Sequence, residues 1–336
     1  MATYSVDIVN AIGMEIPMSA ILITGGHGGI GFSCTKYLAK HSKNEIILAG
    51  RSMSKMEDAA HELRSLGTKV TLLELDTSSL ASVRAACARL RSMIADKEIS
   101  SLRAILCNAG GRFEKVTYSA DGYETTFATN CLGHFLLVTL LIDLVDDDGR
   151  VIFTASGTHD PDTVDGRMVG AVVEPDAFAL AHDGKNGTKP TSSGKRYSTS
   201  KLCNILEAYE LARRLKKSGS NIASIAYDPG GTAGTGLTRE LPKFVQWLAT
   251  TKFAEWLMRR LGVTMGSLEF SGACLARLAV DPEFAKASGK YYQSSDGRLI
   301  DRRSSTLSYD ENRARKLWEN MKELAKLEES EQHAKL

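Results

Sequence analysis

The sequence predicts an α/β fold in which one doubly wound parallel sheet carries helices on both faces. Two observations lead there. Short apolar runs alternate with amphipathic stretches along the chain, the pattern of a parallel sheet with right-handed crossovers. A glycine-rich turn joins the first apolar run directly to the first amphipathic one. No internal repeat or linker divides the 336 residues, so 20–336 reads as one domain behind an extension at 1–19.

The run Ala20-Ile21-Leu22-Ile23-Thr24 is apolar, partly β-branched and halted by glycines, which marks a short buried strand. Gly25-Gly26-His27-Gly28-Gly29-Ile30-Gly31 follows, and the amphipathic segment behind it predicts a helix over 29–41. Glycines here permit a tight turn and let backbone amides approach a pyrophosphate, with Gly25, Gly29 and Gly31 framing it. His27, Gly28 and Ile30 complete that cofactor-binding turn. Further strands are expected at 45–49, 69–75, 102–107, 150–155, 222–227 and 290–293. Helices are expected at 54–66, 79–94, 121–144, 197–218, 266–280 and 310–326. Two segments depart from the alternation. Residues 157–196 are rich in Gly, Asp, Thr and Pro and read as a long, flexible, functional loop. Residues 238–261, with Phe244, Trp247, Phe253 and Trp256, present a broad apolar surface. It reads as a helix pair on the sheet edge, a lid over an apolar substrate, or a peripheral membrane or partner contact.

A formal charge of +2 and the lack of a long basic run exclude a nucleic-acid footprint. No apolar stretch reaches a membrane-spanning length, and residues 1–19 lack the basic start and clean apolar core of a secretory signal. Cysteines 34, 87, 107, 131, 203 and 274 are scattered through expected strands and helices, which suits buried reduced thiols of a cytoplasmic enzyme, monomeric or homodimeric. They offer neither a disulfide framework nor a metal site.

Tyr197-Ser198-Thr199-Ser200-Lys201 places a phenol and an ammonium four residues apart, on one face of a helix. An ammonium beside a tyrosine favours the phenolate and makes it a usable proton donor and acceptor. The order of motifs then matters. Thr24 to Gly31 spells TGxxxGxG, followed by Asn108-Ala109-Gly110, Asn130 in a helix, Ser156 closing a strand, Tyr197 with Lys201, and Pro229-Gly230. Over about 20–325 this resembles the short-chain dehydrogenase/reductase family, with its Rossmann-type sheet.

The resemblance implies a catalytic set: Ser156 hydrogen-bonds the substrate oxygen, Tyr197 transfers the proton, and Lys201 lowers the tyrosine pKa while holding the ribose hydroxyls. Asn130 is implied to support a water bridging to the lysine. Asp76 is implied to hydrogen-bond the adenine, with Thr77 beside it. Alternatively Asp76 caps the helix beginning near Ser79, although Ser78 or Ser79 can cap instead. Asn108, Ala109 and Gly110 let the nicotinamide ribose lie close, and Pro229, Gly230 and Thr232 complete the cofactor contacts. His134 reads as a satisfied buried histidine.

The cofactor is chosen at the end of the second strand. NAD enzymes place an acid there to accept from the ribose 2′-hydroxyl. Here Gly50 stands in that position, and Arg51 and Lys55 offer donors to a 2′-phosphate, so NADP(H) is expected unless Arg51 is merely solvated. His27 can contribute. The pieces Asn130 to Leu137, Tyr197 to Asn204, Thr235 to Glu240 and Ala314 to Trp318 are similar to the protochlorophyllide reductase and retinol dehydrogenase branch. Gly231 stands where the light-dependent reductases carry a cysteine, and Gly234 where a threonine is usual. The expected activity is interconversion of a carbonyl and an alcohol on a bulky, partly apolar small molecule. The alternatives are reduction of a carbon–carbon double bond and a catalytically idle, cofactor-binding scaffold.

Overall fold

The structure, a computed structural model, describes residues 19–231, 260 and 266–336. The apolar segment 238–261, apart from Arg260, lies outside the described residues, as do residues 1–18 and Thr232. The chain runs β1 (Ala20–Thr24), α1 (Gly29–His41), β2 (Glu45–Gly50), α2 (Met53–Ser65), β3 (Val70–Glu74), α3 (Leu80–Ala95) and β4 (Leu102–Cys107). After α4 (Thr125–Leu144) come β5 (Val145–Thr154), α5 (Val164–Val169), α6 (Ala177–Ala181), α7 (Ser193–Lys217) and β6 (Ala223–Asp228). The described chain closes with α8 (Leu268–Val280), β7 (Lys290–Ser295), β8 (Arg298–Asp301) and α9 (Glu311–Leu324).

Strand order is β3-β2-β1-β4-β5-β6-β7-β8, parallel except for the β7–β8 pair. Alternation along each strand explains the two layers. Ile21 and Ile23 face a layer built with α1, α2 and α8, whereas Ala20 and Leu22 face the layer holding α3, α4, α7 and α9. The α1–α8 contact is close because Gly272 has no side chain; a Cβ there would stand 2.4 Å from Ser33 Cβ. Order reverses between β1 and β4, which opens a crevice beyond their carboxyl ends.

Several expectations need correction. Residues 157–196 are not a featureless loop: they hold a 3₁₀ turn at Gly157–His159, then α5 and α6, and α7 starts at Ser193 rather than at Tyr197. His159, Ala177, Ala181 and Ser193 bury against the rest of the protein, which is what orders the segment. β5 begins at Val145, and β8 adds an antiparallel edge. The view that no apolar stretch has spanning length fails for α4, 20 residues with mean hydropathy 1.6; 83% of that window is buried, so its apolarity serves the core. All six cysteines are free and buried.

Candidate active site

Thr24, at the end of β1, knits the crevice together. Its Oγ1 accepts from the backbone N–H of Asn108 and of Ala109, both at 2.9 Å, and Asn108 Nδ2 donates to Thr24 O at 2.9 Å. Asn108 therefore ties the β4 end to the β1 end, and the small Ala109 and Gly110 follow against the crevice. The glycine turn sits beside them. Gly25 and Gly29 adopt φ of +68° and +52°, the left-handed region where a side chain is strained. A Cβ on Gly31 would stand 2.4 Å from Gly25 O. Gly28 and Gly29 face open space, and Gly28 caps α1 without a side-chain hydrogen bond. An uncapped helix start framed by such a turn fits a pyrophosphate. Ile30 is half-buried and packs on the α1 layer.

Beyond the end of β5, the Ser156 hydroxyl lies close enough to the Tyr197 phenol to pull its pKa down. Lys201, one turn on, donates from Nζ to Thr154 O at 2.8 Å and lies 5.6 Å from the Tyr197 ring centre. Asn130 sits in a π-helical turn of α4, Ala128–Leu132. Its Oδ1 accepts from Gly111 N at 3.0 Å, and its Nδ2 donates to Gly111 O at 3.0 Å and to Ser200 Oγ at 2.9 Å. The side chain thus clamps the segment after β4 to α7. A Cβ on Gly110 would meet Asn130 Oδ1 at 2.8 Å, which is why the motif ends in glycine.

Burial is the main influence on Tyr197 and pushes its phenol up; the Ser156 hydroxyl and Arg112 pull down, and Asp228 pushes up. The Lys201 ammonium is buried and donates to Thr154 O. Burial pulls its ammonium down to about 8, against Cys131, Asp228 and Glu207. Tyr197 is a protonated phenol at neutral pH.

At the other end of the crevice His27 packs over Gly50, where a Cβ would stand 2.8 Å from the ring. Its Nδ1 is buried without a partner among the described residues, and burial, then Lys55, lowers its pKa. Arg51 and Lys55 are exposed at the start of α2. That ring nitrogen, with the Lys55 cation near it, fits an anionic group at this place. Asp76, two residues past β3, accepts from Ser78 N at 2.9 Å and Ser78 Oγ at 2.7 Å, while Ser79 caps α3. The capping alternative for Asp76 is excluded. Thr77 is buried under α4, where Gly133 has no room for a side chain. The Pro229-Gly230 turn is held by Ser271 and Ser294, whose hydroxyls donate to Pro229 O at 2.6 and 3.0 Å.

His134 is buried and bonded, as expected, with Nε2 2.9 Å from Thr24 Oγ1. Sequence reasoning missed Arg112, Asn204, Glu207 and Asp228. Asp228 carried a signal, an acid immediately before Pro229 within an apolar strand. Its carboxylate accepts from Gly230 N, Tyr291 OH and Gln293 Nε2 at 2.9, 3.0 and 2.6 Å.

An open parallel sheet, a glycine-framed helix start at its switch point, and a serine–tyrosine pair with a lysine define a dinucleotide-dependent oxidoreductase. The family described as short chain dehydrogenase matches residues 19–163. A protochlorophyllide reductase of Daucus carota is 32% identical over 327 residues, covering 92% of this chain and 78% of the relative. The short-chain dehydrogenase TIC 32 A of Brassica napus is 27% identical, covering 89% of this chain and 86% of the relative. A solved structure from Mycobacterium Paratuberculosis, of a protein of uncharacterised function, superposes with a TM-score of 0.66 at 25% identity, covering 93% of this chain and 96% of its own. The chain belongs to the short-chain dehydrogenase/reductase family, in its protochlorophyllide reductase-like branch.

Proposed function

We propose that this protein is an NADP(H)-dependent oxidoreductase that interconverts a carbonyl and an alcohol on a bulky, partly apolar small molecule. The convergence of Ser156 on the Tyr197 phenol, with Lys201 one turn away, carries the reading. NADP(H) supplies or takes up the hydride when bound. The glycine turn holds its pyrophosphate, Asp76 and Thr77 its adenine side, and Arg51, Lys55 and His27 its 2′-phosphate. Solved relatives of the same fold are complexes with NADPH, one from a metagenomic library at 19% identity and a TM-score of 0.59.

Ser156 orients the substrate oxygen and Tyr197 donates its proton as charge develops there. A phenol kept protonated by burial suits the reductive direction. Lys201 holds the ribose side of the site, and Asn130 fixes the backbone around it. Residues 157–196, with 238–261, are proposed to shape a pocket for a substrate larger than a short-chain ketone. Buried thiols suit a reducing compartment, and the cytoplasm is the proposed location. An idle scaffold has no need of this set.

The test is NADPH oxidation in the dark with retinal, steroid ketones and short ketones. Turnover on a bulky carbonyl supports the proposal, and none on any carbonyl sinks it. The named relatives favour a second reading, reduction of a carbon–carbon double bond. Loss of protochlorophyllide absorbance that requires NADPH and illumination selects it.

A further inference from the structure

Beneath Lys201, α7 carries a buried polar pair that the proposed chemistry does not use. Asn204 and Glu207 are 2% and 1% exposed. Asn204 Nδ2 donates to Thr154 O at 2.9 Å, the same carbonyl that takes Lys201 Nζ at 2.8 Å. That bond fixes the amide: turned over, Asn204 would set its own oxygen against the Thr154 oxygen. So Asn204 Oδ1 faces away from Thr154, and it has no partner among the described residues. Neither Glu207 Oε1 nor Oε2 has one. The two side chains are three residues apart on one helix, where neighbours meet. Three buried acceptors without a donor are costly, and a single hydrogen on the carboxyl supplies the donor.

We propose that Glu207 is a positioning residue that works as a neutral acid, donating its carboxyl hydrogen to Asn204 Oδ1 and so holding the Asn204 amide on the carbonyl that Lys201 also bonds. This rests on the reading of Lys201 as part of the cofactor and catalytic site. Burial pushes the Glu207 carboxyl well up, against the pull of Lys201, and Cys131 on α4 adds to the push. Cys107, on β4, also feels Glu207, and burial raises both thiols, so they stay neutral. Lys201 is the cation acting on Glu207, and Asp228, at the end of β6, acts on Lys201 as well. Ionising Glu207 would set acceptor against acceptor and turn the Asn204 amide over, setting its oxygen against the Thr154 carbonyl that Lys201 bonds.

Two measurements test this. Infrared difference spectra of the whole protein at neutral pH should show a protonated-carboxyl band that Glu207→Gln removes. NADPH affinity, read by fluorescence across pH, should be nearly unchanged in Glu207→Gln, whose amide still donates to Asn204. In Glu207→Leu, which fills the space without a donor, it should weaken roughly five- to tenfold, the scale of one lost hydrogen bond. No such band, a Gln variant as impaired as the Leu variant, or a Leu variant indistinguishable from the parent overturns the proposal. Should Leu fail to fold, the band and the Gln variant still decide. Lys201→Ala run in parallel separates the two claims. If it leaves NADPH affinity intact, the reading of the site has failed, while the band still reports on Glu207.

Discussion

Acidifying this protein should unlock the crevice through His134 before its carboxylates are fully titrated. His134 Nδ1 lies 3.3 Å from Asn130 O, and a carbonyl only accepts, so Nδ1 carries the hydrogen of the neutral ring. Nε2 then accepts from the Thr24 hydroxyl at 2.9 Å, a hydrogen it shares with Leu106 O at 3.3 Å. That hydroxyl already takes two backbone N–H groups. A second ring hydrogen would aim an N–H at an oxygen with no lone pair left, in a site 1% exposed. Burial is the main cause, and it lowers the ring's pKa from 6.5 to about 4, with Lys201 adding to the effect and the Asn130 bond opposing it. The sign follows. Between 6.5 and about 4 the unfolded chain binds a proton that the folded one refuses, so stability falls as pH drops through that window. At about 1.4 kcal/mol for each pH unit the loss is on the order of 3 kcal/mol. Denaturant unfolding of the protein and of His134→Gln from pH 7 to pH 4 is the assay. The variant starts lower and should lose less, because its residue does not titrate. Parallel curves would refute the reasoning. His159 is also held low by burial and leaves a common slope in both proteins.

Tyr197→Phe should keep its fold and NADPH affinity, yet lose roughly 10²–10⁴-fold in turnover, the usual worth of an acid–base group; near-normal turnover in a steady-state assay would remove Tyr197 from the chemistry. Arg51→Ala should erase most of a preference for NADPH over NADH, measured by calorimetry, since Gly50 offers no acceptor to a 2′-hydroxyl. Arg150 is fully buried and donates to Leu278 O and Asp281 O, each at 2.7 Å, at the end of α8. Arg150→Met strands both carbonyls, and chemical denaturation should show a loss of roughly 3 kcal/mol.

Much of this was legible because it is local. The β1 run, its glycine turn and the alternation of strand and helix are set by neighbours in sequence, and they fixed the layers and the crevice. What was not legible depends on tertiary burial. β8 is a four-residue edge strand, Arg298–Asp301, whose ends are charged, so nothing in its pattern marks a strand. β5 starts inside Val145-Asp146-Asp147-Asp148, where charges hide the pairing with β4 that Leu102 and Val145 begin. Residues 157–196 have the composition of a loop, but a few buried side chains suffice to order them.

The same division runs through the site. The spacing of Tyr197 and Lys201 was visible, and so was their sharing of a helix face. The direction of the tyrosine's shift was not, because it is set by how much water the fold removes. An ammonium lowers a neighbouring phenol's pKa most strongly when it also hydrogen-bonds the oxygen. Here Lys201 points at Thr154 O, and its own pKa falls to about 8. Spacing shows that the two groups share a face, but burial, which no spacing reports, pushes the phenol up and pulls the ammonium down.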